Sequence, residues 1–409
     1  MTASAPVHRT KQQQFNQLGV LIGLNFIDML GSLMVIPLLP FYALRLHATP
    51  VMVGWLIASF SIAQLLAAPV WGRVSDRYGR RPALLIGLLA SAIAFLVFGL
   101  ATSLFVLFLS RVVQGLGGGT TGVAQAYVSD TVEREHRARA LGWLSAATNA
   151  GVSIGPAIGS LAARLGREAP GYFASGLCAL NVLAAWLWLP ESRPAAARSA
   201  PAQRKPVWHA AWTVLGNPSG RAERLIWIYG VGMLAFSLLT GVLALWLNAR
   251  FAVNEKTIGL FFMYYGVLSF IMRSIFLGPV VDRVGEVGAL RAGTIMLAVG
   301  MLLYPLVPNV WLMIVVIPFV PIGTALMFPA VTSLLSHAVD PAELGTMMGV
   351  AQTFAGIARV VAPIAGTFAF QTLGISSPFV LGGAIVLLVS WTTFHHIQAR
   401  PAAATEPAV

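Results

Sequence analysis

The stretch Gly72–Pro82, which reads GRVSDRYGRRP, is a polar and basic island between two long apolar runs. Glycine tolerates positive φ, so Gly72 and Gly79 favour a tight turn, and Pro82 suits the first position of a following helix. A short arginine-rich loop between apolar helices faces the cytoplasm in membrane proteins. The island therefore predicts a cytoplasmic loop between two membrane spans. It places one acid among four arginines: Asp76 with Arg73, Arg77, Arg80 and Arg81.

A weaker copy of the island, GPVVDRVGEVG, occupies Gly278–Gly288. Aligning Asp76 with Asp282 also aligns Gly79 with Gly285, at an offset of about half the 409-residue chain. The chain is therefore predicted to contain two copies of one structural unit.

The composition indicates a protein that spans a membrane many times. Hydrophobic residues make up 57% of the chain and charged residues only 10%, which is not typical of a soluble globular domain. A spanning helix takes about 20 apolar residues, so twelve of them use roughly 240 positions and leave room for short loops and one linker. We expect an all-α integral membrane protein with twelve transmembrane helices.

The same composition argues against several other classes of protein. The net charge of +12 comes from basic residues scattered between apolar runs, without the basic groove of a nucleic-acid binder. The single cysteine, Cys178, excludes an internal disulfide and a cysteine-based metal site. We expect no nucleic-acid partner, metal or cofactor. The N-terminal tail runs directly into an apolar segment, so no cleaved signal peptide is expected.

A change in composition divides the chain into two halves. Pro190–Arg224 is rich in Pro, Ala and Arg, which is typical of a flexible linker. Within it, Trp208 and Trp212 at i,i+4 predict a short helix at the membrane interface. We expect a six-helix half at 1–190, a cytoplasmic linker at 191–224 and a second six-helix half at 225–409. The hydropathy pattern predicts spans near 15–42, 51–71, 83–101, 104–128, 140–161, 172–189, 225–249, 257–281, 288–306, 310–336, 343–370 and 376–396.

The distribution of basic residues predicts the orientation. Most of the 26 Lys and Arg residues fall in the tails and in the loops on the side of the island. By the positive-inside rule, both termini lie in the cytoplasm, and the chain is expected in the inner (cytoplasmic) membrane. The opposite side carries five basic residues: Arg45, Arg164, Arg167, Arg250 and Lys256.

These features together resemble the major facilitator superfamily over essentially the whole chain. The segment Arg111-Val-Val-Gln114-Gly115 looks like the family's helix-4 motif. The family's signature loop is matched at Gly72, Asp76, Arg77, Gly79, Arg80 and Arg81.

Two further motifs resemble drug exporters within that family. The first segment, with Asp28, Gly31, Pro37 and Pro40, is similar to helix 1 of tetracycline and related exporters. The segment Gly151–Gly159 resembles the helix-5 signature of drug/H⁺ antiporters, and it is echoed by Ala362-Pro363-Ile-Ala-Gly366 in the second half. The signature residues of the helix-5 motif are Gly151, Gly155, Pro156 and Gly159.

The resemblance implies the major facilitator fold and a role in export. The expected activity is proton-coupled efflux of small lipophilic compounds, as in antibiotic resistance, by alternating access between the two halves. The energy source is then a proton gradient, the partners are the substrate, protons and the bilayer, and the oligomeric state is a monomer.

Among the fourteen acidic residues, Asp28 alone lies deep within a predicted span. A carboxylate there is unfavourable by about 2.5–3.5 kcal/mol on insertion scales, so it is expected to face an interior cavity. Asn25, Asp28 and Ser32 share one helical stripe, which predicts a polar cavity wall. We interpret Asp28 as the proton-binding group; a structural hydrogen bond between helices is the alternative.

Arg111 is the second charge predicted inside the membrane, and it needs a partner there because it keeps its proton. It is a candidate for proton coupling or, alternatively, for a structural tie between the fourth and first helices. Gln114, on the same helix, is a candidate for the substrate cavity.

The two motifs of the first half have separate expected roles. Gly151, Gly155 and Gly159 recur every four residues, which permits close helix packing, so the helix-5 motif is interpreted as a hinge or seal. The pairing of Asp76 with its basic neighbours is interpreted as a latch on the cytoplasmic side, against the alternative of a topology signal alone.

In the second half, Gln352 and Arg359 are candidates for the substrate cavity, with a snorkelling arginine as the alternative. Tetracycline exporters use further charged groups in this half, and this chain has no matching acid there, which disfavours tetracycline itself. Aromatic residues are candidates for a lipophilic lining: Phe236, Trp246, Phe261, Tyr264, Tyr265 and Phe354.

Other functions receive less support from the sequence. A metabolite or sugar exporter, or a facilitator without proton coupling, is the alternative within transport. An enzyme is not expected, because no nucleophile–base pair or metal cluster is found, and the glycines after Arg111 follow no strand and so form no phosphate loop.

Overall fold

The computed structural model describes residues 11–192, 212, 214, 216, 220–340 and 343–396, and these contain helices and no strand. The predicted all-α fold is confirmed. Most of the linker predicted at 191–224, including Trp208, lies outside the described residues. Only helices hydrogen-bond every backbone group within one segment, which is what a chain needs inside lipid.

The first six spans are built from eight α-helices. A 3-10 turn at Ile36–Leu38 separates α1 from α2, and another at Gly118–Thr120 separates α5 from α6. The helices are α1 (Lys11–Val35), α2 (Leu39–Arg45), α3 (Pro50–Tyr78), α4 (Arg80–Gly99), α5 (Leu104–Gly117), α6 (Thr121–Thr131), α7 (Arg137–Ala162) and α8 (Ala169–Trp188).

The remaining helices repeat this plan with seven α-helices. A π-helical turn at Met272–Phe276 separates α10 from α11. The helices are α9 (Arg221–Phe251), α10 (Ile258–Ile271), α11 (Leu277–Leu303), α12 (Met313–Val316), α13 (Phe319–Ala338), α14 (Leu344–Thr372) and α15 (Ser377–His396).

Among the described residues, nine helical stretches are long and apolar enough to cross a membrane. One of them, Ile258–Leu306, is 49 residues long and is interrupted at Gly285, where the backbone is not helical, so it supplies two spans. The α7 helix, which is rich in Gly and polar residues, and the shorter apolar α15 complete the twelve predicted spans.

The break between α5 and α6 was not predicted, since the fourth span was expected to be one continuous helix. Side chains of α3 hydrogen-bond to carbonyls beside this break. Gln64 Nε2 donates to the Gly118 carbonyl at 3.1 Å, and Trp71 Nε1 donates to the Leu116 carbonyl at 2.5 Å. Backbone groups released by a helix break at membrane depth need such partners.

The structure corrects the prediction of an eleven-residue loop at Gly72–Pro82. α3 continues to Tyr78 and α4 begins at Arg80, so Gly79 alone joins the two helices. Pro82 is therefore the third residue of α4 and not the first. Polar residues extend both helices beyond the apolar stretch, because charged side chains are compatible with a helix once it leaves the lipid.

The carboxylate of Glu191 caps the N-terminus of α4 across this junction. Its Oε1 accepts from the Arg80 backbone N–H at 2.9 Å, and its Oε2 accepts from the Arg81 backbone N–H at 3.2 Å. The first N–H groups of a helix have no partner within the helix, and a negative charge there also complements the helix dipole. Glu191 thus ties the end of the sixth span to the junction between the second and third.

The second copy of the island has the same backbone break. Gly79 adopts φ 109° and ψ 160°, and the aligned Gly285 adopts φ 71° and ψ 170°. Both fall in a region that is essentially restricted to glycine. The helix contacts repeat as well: α1 packs on α7 and α4 on α8, while α9 packs on α14 and α11 on α15. The internal repeat predicted from the sequence is present in the fold.

The described residues group into two compact units. One takes those within Met1–Ala202 together with Val253–Gly266, and the other takes those within Gln203–Ala252 and Val267–Val409. In the first unit, α1 lies against both α7 and α8. The predicted halves at 1–190 and 225–409 remain a prediction about the chain's architecture.

The second unit has an aromatic cluster centred on Trp246, which is fully buried. The Trp246 ring lies 5.3 Å from that of Phe379 and 5.4 Å from that of Phe251, and Tyr304 stacks on Phe379 at 5.4 Å. Trp246 therefore packs inside the unit, and its predicted place in a lipophilic lining is wrong.

Gly79 and Gly285 form a matched pair for testing the junction. Alanine at either position is expected to be unfavourable by about 1–3 kcal/mol through backbone strain. At Gly79 the added Cβ also collides with the Glu191 carboxylate, whereas at Gly285 no atom lies within 4 Å. We expect Gly79→Ala to lower the thermal unfolding temperature in detergent more than Gly285→Ala. Equal losses would contradict the capping role of Glu191, and Glu191→Gln should reproduce part of the difference.

Candidate functional site

Asp28 lies on α1 beside a cavity of about 30 Å³ within the first unit. A cavity of that size holds a water molecule when polar groups are available. The cavity is formed by α1, α4 and the start of α6, and it is lined by Leu21, Leu24, Asn25, Asp28, Leu84, Leu88, Thr120, Thr121 and Ala124. Its wall is mostly apolar, with Asp28 as its acidic group.

The Asp28 side chain makes no hydrogen bond or ion pair with any residue that the structure describes, and the residue is partly buried. Burying an unpaired charge is strongly unfavourable. A proton, or a cation that enters the cavity, can neutralise Asp28 there. This arrangement suits a carboxyl group that exchanges a proton for a cation.

The residues of the polar stripe predicted on the first span make contacts with two different helices. Asn25 and Asp28 line the cavity, but Ser32 does not. Asn25 Nδ2 donates to Thr148 Oγ1 on α7 at 2.5 Å, and Ser32 Oγ accepts from Gln114 Nε2 at 3.4 Å. In this structure Ser32 contacts α5 and does not line the small cavity beside Asp28, and the common wall of the three residues remains a prediction.

Arg111 is buried, with 1% of its surface exposed. Its guanidinium carbon lies 5.1 Å from the centre of the Phe98 ring on α4, and its Nε donates to the neighbouring Ser110 Oγ at 3.4 Å. Its Nη2 has no hydrogen-bond partner within the described ranges of the chain. A cation over an aromatic face gains about 2 kcal/mol or more when it is desolvated.

The structure does not bring Arg111 and Asp28 into an ion pair among the described residues. Arg111 contacts Phe98 on α4, and Gln114, one turn later, reaches Ser32 on α1. The structural tie from Arg111 to the first helix remains a prediction.

The three glycines of the helix-5 motif lie against the backbone of α1. A Cβ at Gly151 would come within 2.7 Å of the Phe26 carbonyl oxygen, and one at Gly155 within 2.7 Å of the Leu30 carbonyl oxygen. A Cβ at Gly159 would collide with Met34. Only glycine permits so close an approach. The motif thus fixes α7 against the helix that carries Asp28.

Another face of α7 receives the segment Val253–Gly266 in the first unit. The Gly259 backbone N–H donates to Ser160 Oγ at 2.8 Å. A Cβ at Gly259 would collide with the Pro156 carbonyl oxygen, and one at Gly266 would come within 2.6 Å of the Ser153 Cα. Small residues on both sides allow this backbone-level contact. The hinge or seal function expected of the motif remains a prediction.

Arg80 is the centre of the predicted cytoplasmic gate. Its side chain is 7% exposed and pairs with Asp76 through Nη1 at 2.8 Å and with Asp130 through Nε at 2.9 Å. Its Nη1 also donates to Ser75 Oγ at 2.7 Å. A buried arginine with two carboxylates and a hydroxyl is well satisfied. It holds together the ends of α3, α4 and α6.

The other gate residues have separate roles at the same junction. Arg81 donates through Nη2 to the Trp186 carbonyl on α8, and Arg77 lies over the Tyr78 ring at 5.4 Å. Asp130 and Glu191 were not predicted as part of this site. No local sequence signal marks them, since Asp130 is 50 residues from Arg80 and Glu191 is 111 residues away.

The repeat places a related contact in the second unit. Glu286 aligns with Arg80, and its Oε2 lies 3.4 Å from His337 Nδ1 at the end of α13. Its Oε1 accepts from Ser333 Oγ at 2.5 Å. In the second unit the acid, Glu286, lies on the third helix of the repeat. In the first unit that helix carries the basic residue, Arg80. The two units therefore connect the same pair of helices through an acid and a basic side chain in exchanged positions.

The candidates of the second unit lie on α14. Gln352 Nε2 donates to Tyr229 OH on α9 at 3.2 Å, and both Gln352 and Arg359 are exposed on this unit. The rings of Tyr229 and Phe328 and those of Trp227 and Phe354 each meet edge to face at 5.2 Å. These residues give the unit an exposed amide and cation beside an aromatic group.

Comparison with known proteins agrees with this architecture. The family model of the Major Facilitator Superfamily matches residues 21–272 and 225–408. The tetracycline resistance protein, class C, of Escherichia coli is 29% identical over 358 residues, which cover 85% of this chain and 88% of that protein. Multidrug resistance protein 1 of Bacillus subtilis is 28% identical over 397 residues, covering 93% and 98%.

A solved structure shares the fold. The human organic anion transporter MFSD10 (TETRAN) has a TM-score of 0.69 and 23% sequence identity, with 93% of this chain and 99% of that chain covered. The two overlapping matches of the family model together span nearly the whole chain. The chain belongs to the Major Facilitator Superfamily.

Proposed function

We propose that this transporter is a proton-coupled exporter of small lipophilic compounds that works by alternating access. The single observation that carries the proposal is Asp28, an acid within a spanning helix that lines an apolar cavity and has no described partner. Intramembrane acids of this kind serve in proton relays of transporters. Similarity to the tetracycline and multidrug resistance proteins supports export of drug-like compounds.

In the proposed cycle, Asp28 exchanges a proton for the substrate. When the cavity opens to the acidic side, Asp28 takes a proton and the substrate leaves. When it opens to the cytoplasm, the substrate displaces the proton. A lipophilic cation is the substrate class we propose, because a cation can replace the charge of the proton at Asp28. The cavity of about 30 Å³ has to widen before such a substrate enters, and its lining combines five apolar residues with Asn25, Asp28, Thr120 and Thr121.

Arg111 is proposed to modulate this exchange from a distance. It is a buried cation that α4 holds away from Asp28 through the Phe98 ring. Because electrostatic interactions are strong in a low-dielectric interior, its charge favours the ionised form of an acid in the same helix bundle. Arg111 thereby assists proton release without forming a direct ion pair.

The Arg80 network is proposed to stabilise the state that is closed to the cytoplasm. It joins the cytoplasmic ends of three helices of the first unit as one block, and a rigid block is what rocking between inverted or parallel repeats requires. We further propose that the protein works as a monomer in the inner membrane with both termini cytoplasmic, with the proton gradient as its energy source and no cofactor.

The Asp28→Asn variant is expected to abolish transport driven by a pH gradient, because an amide cannot exchange a proton, while expression is unchanged. The measurement is export of a panel of lipophilic dyes and antibiotics from proteoliposomes with an imposed pH gradient. Asp340→Asn is the matched control, since Asp340 is exposed outside the spans. Transport that ignores both the gradient and the Asp28 substitution would contradict coupling and indicate a facilitator.

The Arg111→Ala variant is expected to be less stable than the wild type, because it removes a buried side chain and its contact with the Phe98 ring, so transport is compared at matched amounts of folded protein. Transport should lose its dependence on the pH gradient. The same proteoliposome assay, run at several gradients, measures this dependence. A gradient dependence equal to that of wild type would rule out Arg111 as a coupling residue.

The Asp76→Ala variant is expected to open the cytoplasmic side, since Arg80 then loses one of its two carboxylates. A cysteine introduced as Thr121→Cys beside the Asp28 cavity reports the change, and the native Cys178 is buried. Labelling from the cytoplasmic side should accelerate several-fold relative to the Thr121→Cys protein alone. An unchanged rate would count against the latch.

A further inference from the structure

Four basic residues converge on one cavity at the end of the first unit that is remote from the Gly79 junction. The cavity has a volume of about 230 Å³ and lies where α2 ends, α7 ends and α10 is about to begin. α3 starts at this end with Pro50 and reaches the junction at Tyr78. The cavity is lined by Tyr42, Arg45, Ala163, Arg164, Gly166, Arg167, Glu255 and Lys256.

This clustering runs against the charge distribution of the chain. The sequence assigns five basic residues to the side opposite the island, and four of them line this one cavity. They come from three separate segments, at the end of α2, after α7 and before α10. The fifth, Arg250, is not among the lining residues. Basic residues that are far apart in the sequence thus lie close together and give this cavity a positive potential.

One carboxylate faces these four cations. Glu255 pairs with Arg45, and its side chain is 14% exposed whereas that of Arg45 is 46% exposed. Glu168, which follows Arg167, is exposed and does not line the cavity. The lining therefore keeps an excess of three positive charges, which the nearby Glu168, whose charge reaches Tyr42, offsets in part.

Two of the cations remain available to a ligand. The side chains of Arg164 and Lys256 are exposed and make no hydrogen bond or ion pair with any described residue. Arg167 is held in place, since its Nη2 donates to the Ala101 carbonyl at 2.9 Å and its own carbonyl accepts from Tyr42 OH. The loop after α7 is thus fixed, while its basic groups point into a cavity with free donors.

We propose that this cavity binds a soluble polyatomic oxyanion, of the phosphate or carboxylate type. Its volume exceeds the roughly 30 Å³ that one water takes up in the liquid, so a tetrahedral or planar oxyanion fits. Arg and Lys N–H groups form short, strong hydrogen bonds with such oxygens. The site is independent of proton-driven export, because it lies apart from Asp28 and its occupancy is measurable without transport.

Glu255 acts as an internal competitor for this site. It neutralises Arg45 in the empty cavity, and an incoming oxyanion offers Arg45 an alternative partner. Binding therefore weakens the contact between the end of α2 and the segment that carries Glu255. By linkage, a conformation in which this contact is broken binds the anion more tightly. Anion binding is thus coupled to the Arg45–Glu255 contact.

Binding is tested with the full chain in a neutral detergent, by the shift of its thermal unfolding with sodium phosphate against sodium chloride at equal ionic strength. We expect a saturable stabilisation by phosphate. The double variant Arg164→Gln/Lys256→Gln should weaken it about tenfold, since hydrogen bonds to charged groups are lost. Glu255→Gln should strengthen it several-fold by removing the competitor. Arg250→Gln is the matched control and should leave the affinity unchanged.

Three results would overturn the proposal. One is a phosphate effect that is equal in the wild type, the double variant and the Arg250→Gln control, which indicates non-specific screening. Another is weaker phosphate binding in Glu255→Gln. The third is stabilisation in nanodiscs by the anionic lipid phosphatidylglycerol but not by phosphate in a phosphatidylcholine membrane, which assigns the cavity to a lipid headgroup.

Discussion

Charged groups that are withdrawn from water have to be paired or neutralised, and two charged residues of the first unit meet this constraint in opposite ways. Arg80 satisfies it with Asp76, Asp130 and Ser75. Asp28 has no described partner and lines a small apolar cavity. A fully paired charge stabilises one arrangement of helices, whereas an unpaired one favours whatever ligand can neutralise it. The Arg80 network therefore stabilises the arrangement of the helices, whereas Asp28 is proposed to bind the proton.

The backbone follows the same constraint. Gly79 and Gly285 are the one-residue junctions of the two repeats, and the sequence identified both through the alignment of Asp76 with Asp282. Their surroundings were not predictable, because the cap on α4 comes from Glu191, 111 residues from Arg80. Similarly, glycine spacing predicted a close contact of the fifth span, but only the structure shows that its partner is α1. Local patterns indicate that a contact exists, and long-range pairing decides with which element.

The sequence predicted how many basic residues lie on each side of the membrane. It did not predict which of them lie close together. The sequence placed Arg45, Arg164, Arg167 and Lys256 on one side, and helix packing brings them to one cavity with Glu255. Likewise, Asn25, Asp28 and Ser32 share a stripe of α1, yet Asn25 bonds to α7 and Ser32 to α5. Helical periodicity predicts on which face of a helix a residue lies. The packing of neighbouring helices decides which residues that face contacts.

The proposed proton-coupled transport depends most directly on proton exchange at Asp28. Infrared difference spectra of the purified protein between acidic and alkaline pH detect the carbonyl stretch of a protonated carboxyl group without any substrate. The account predicts a carboxyl band that disappears as the pH rises and that is absent from Asp28→Asn, with the bands of the exposed acids retained in both. Identical difference spectra for the wild type and Asp28→Asn would contradict it, because the proton would then be held elsewhere.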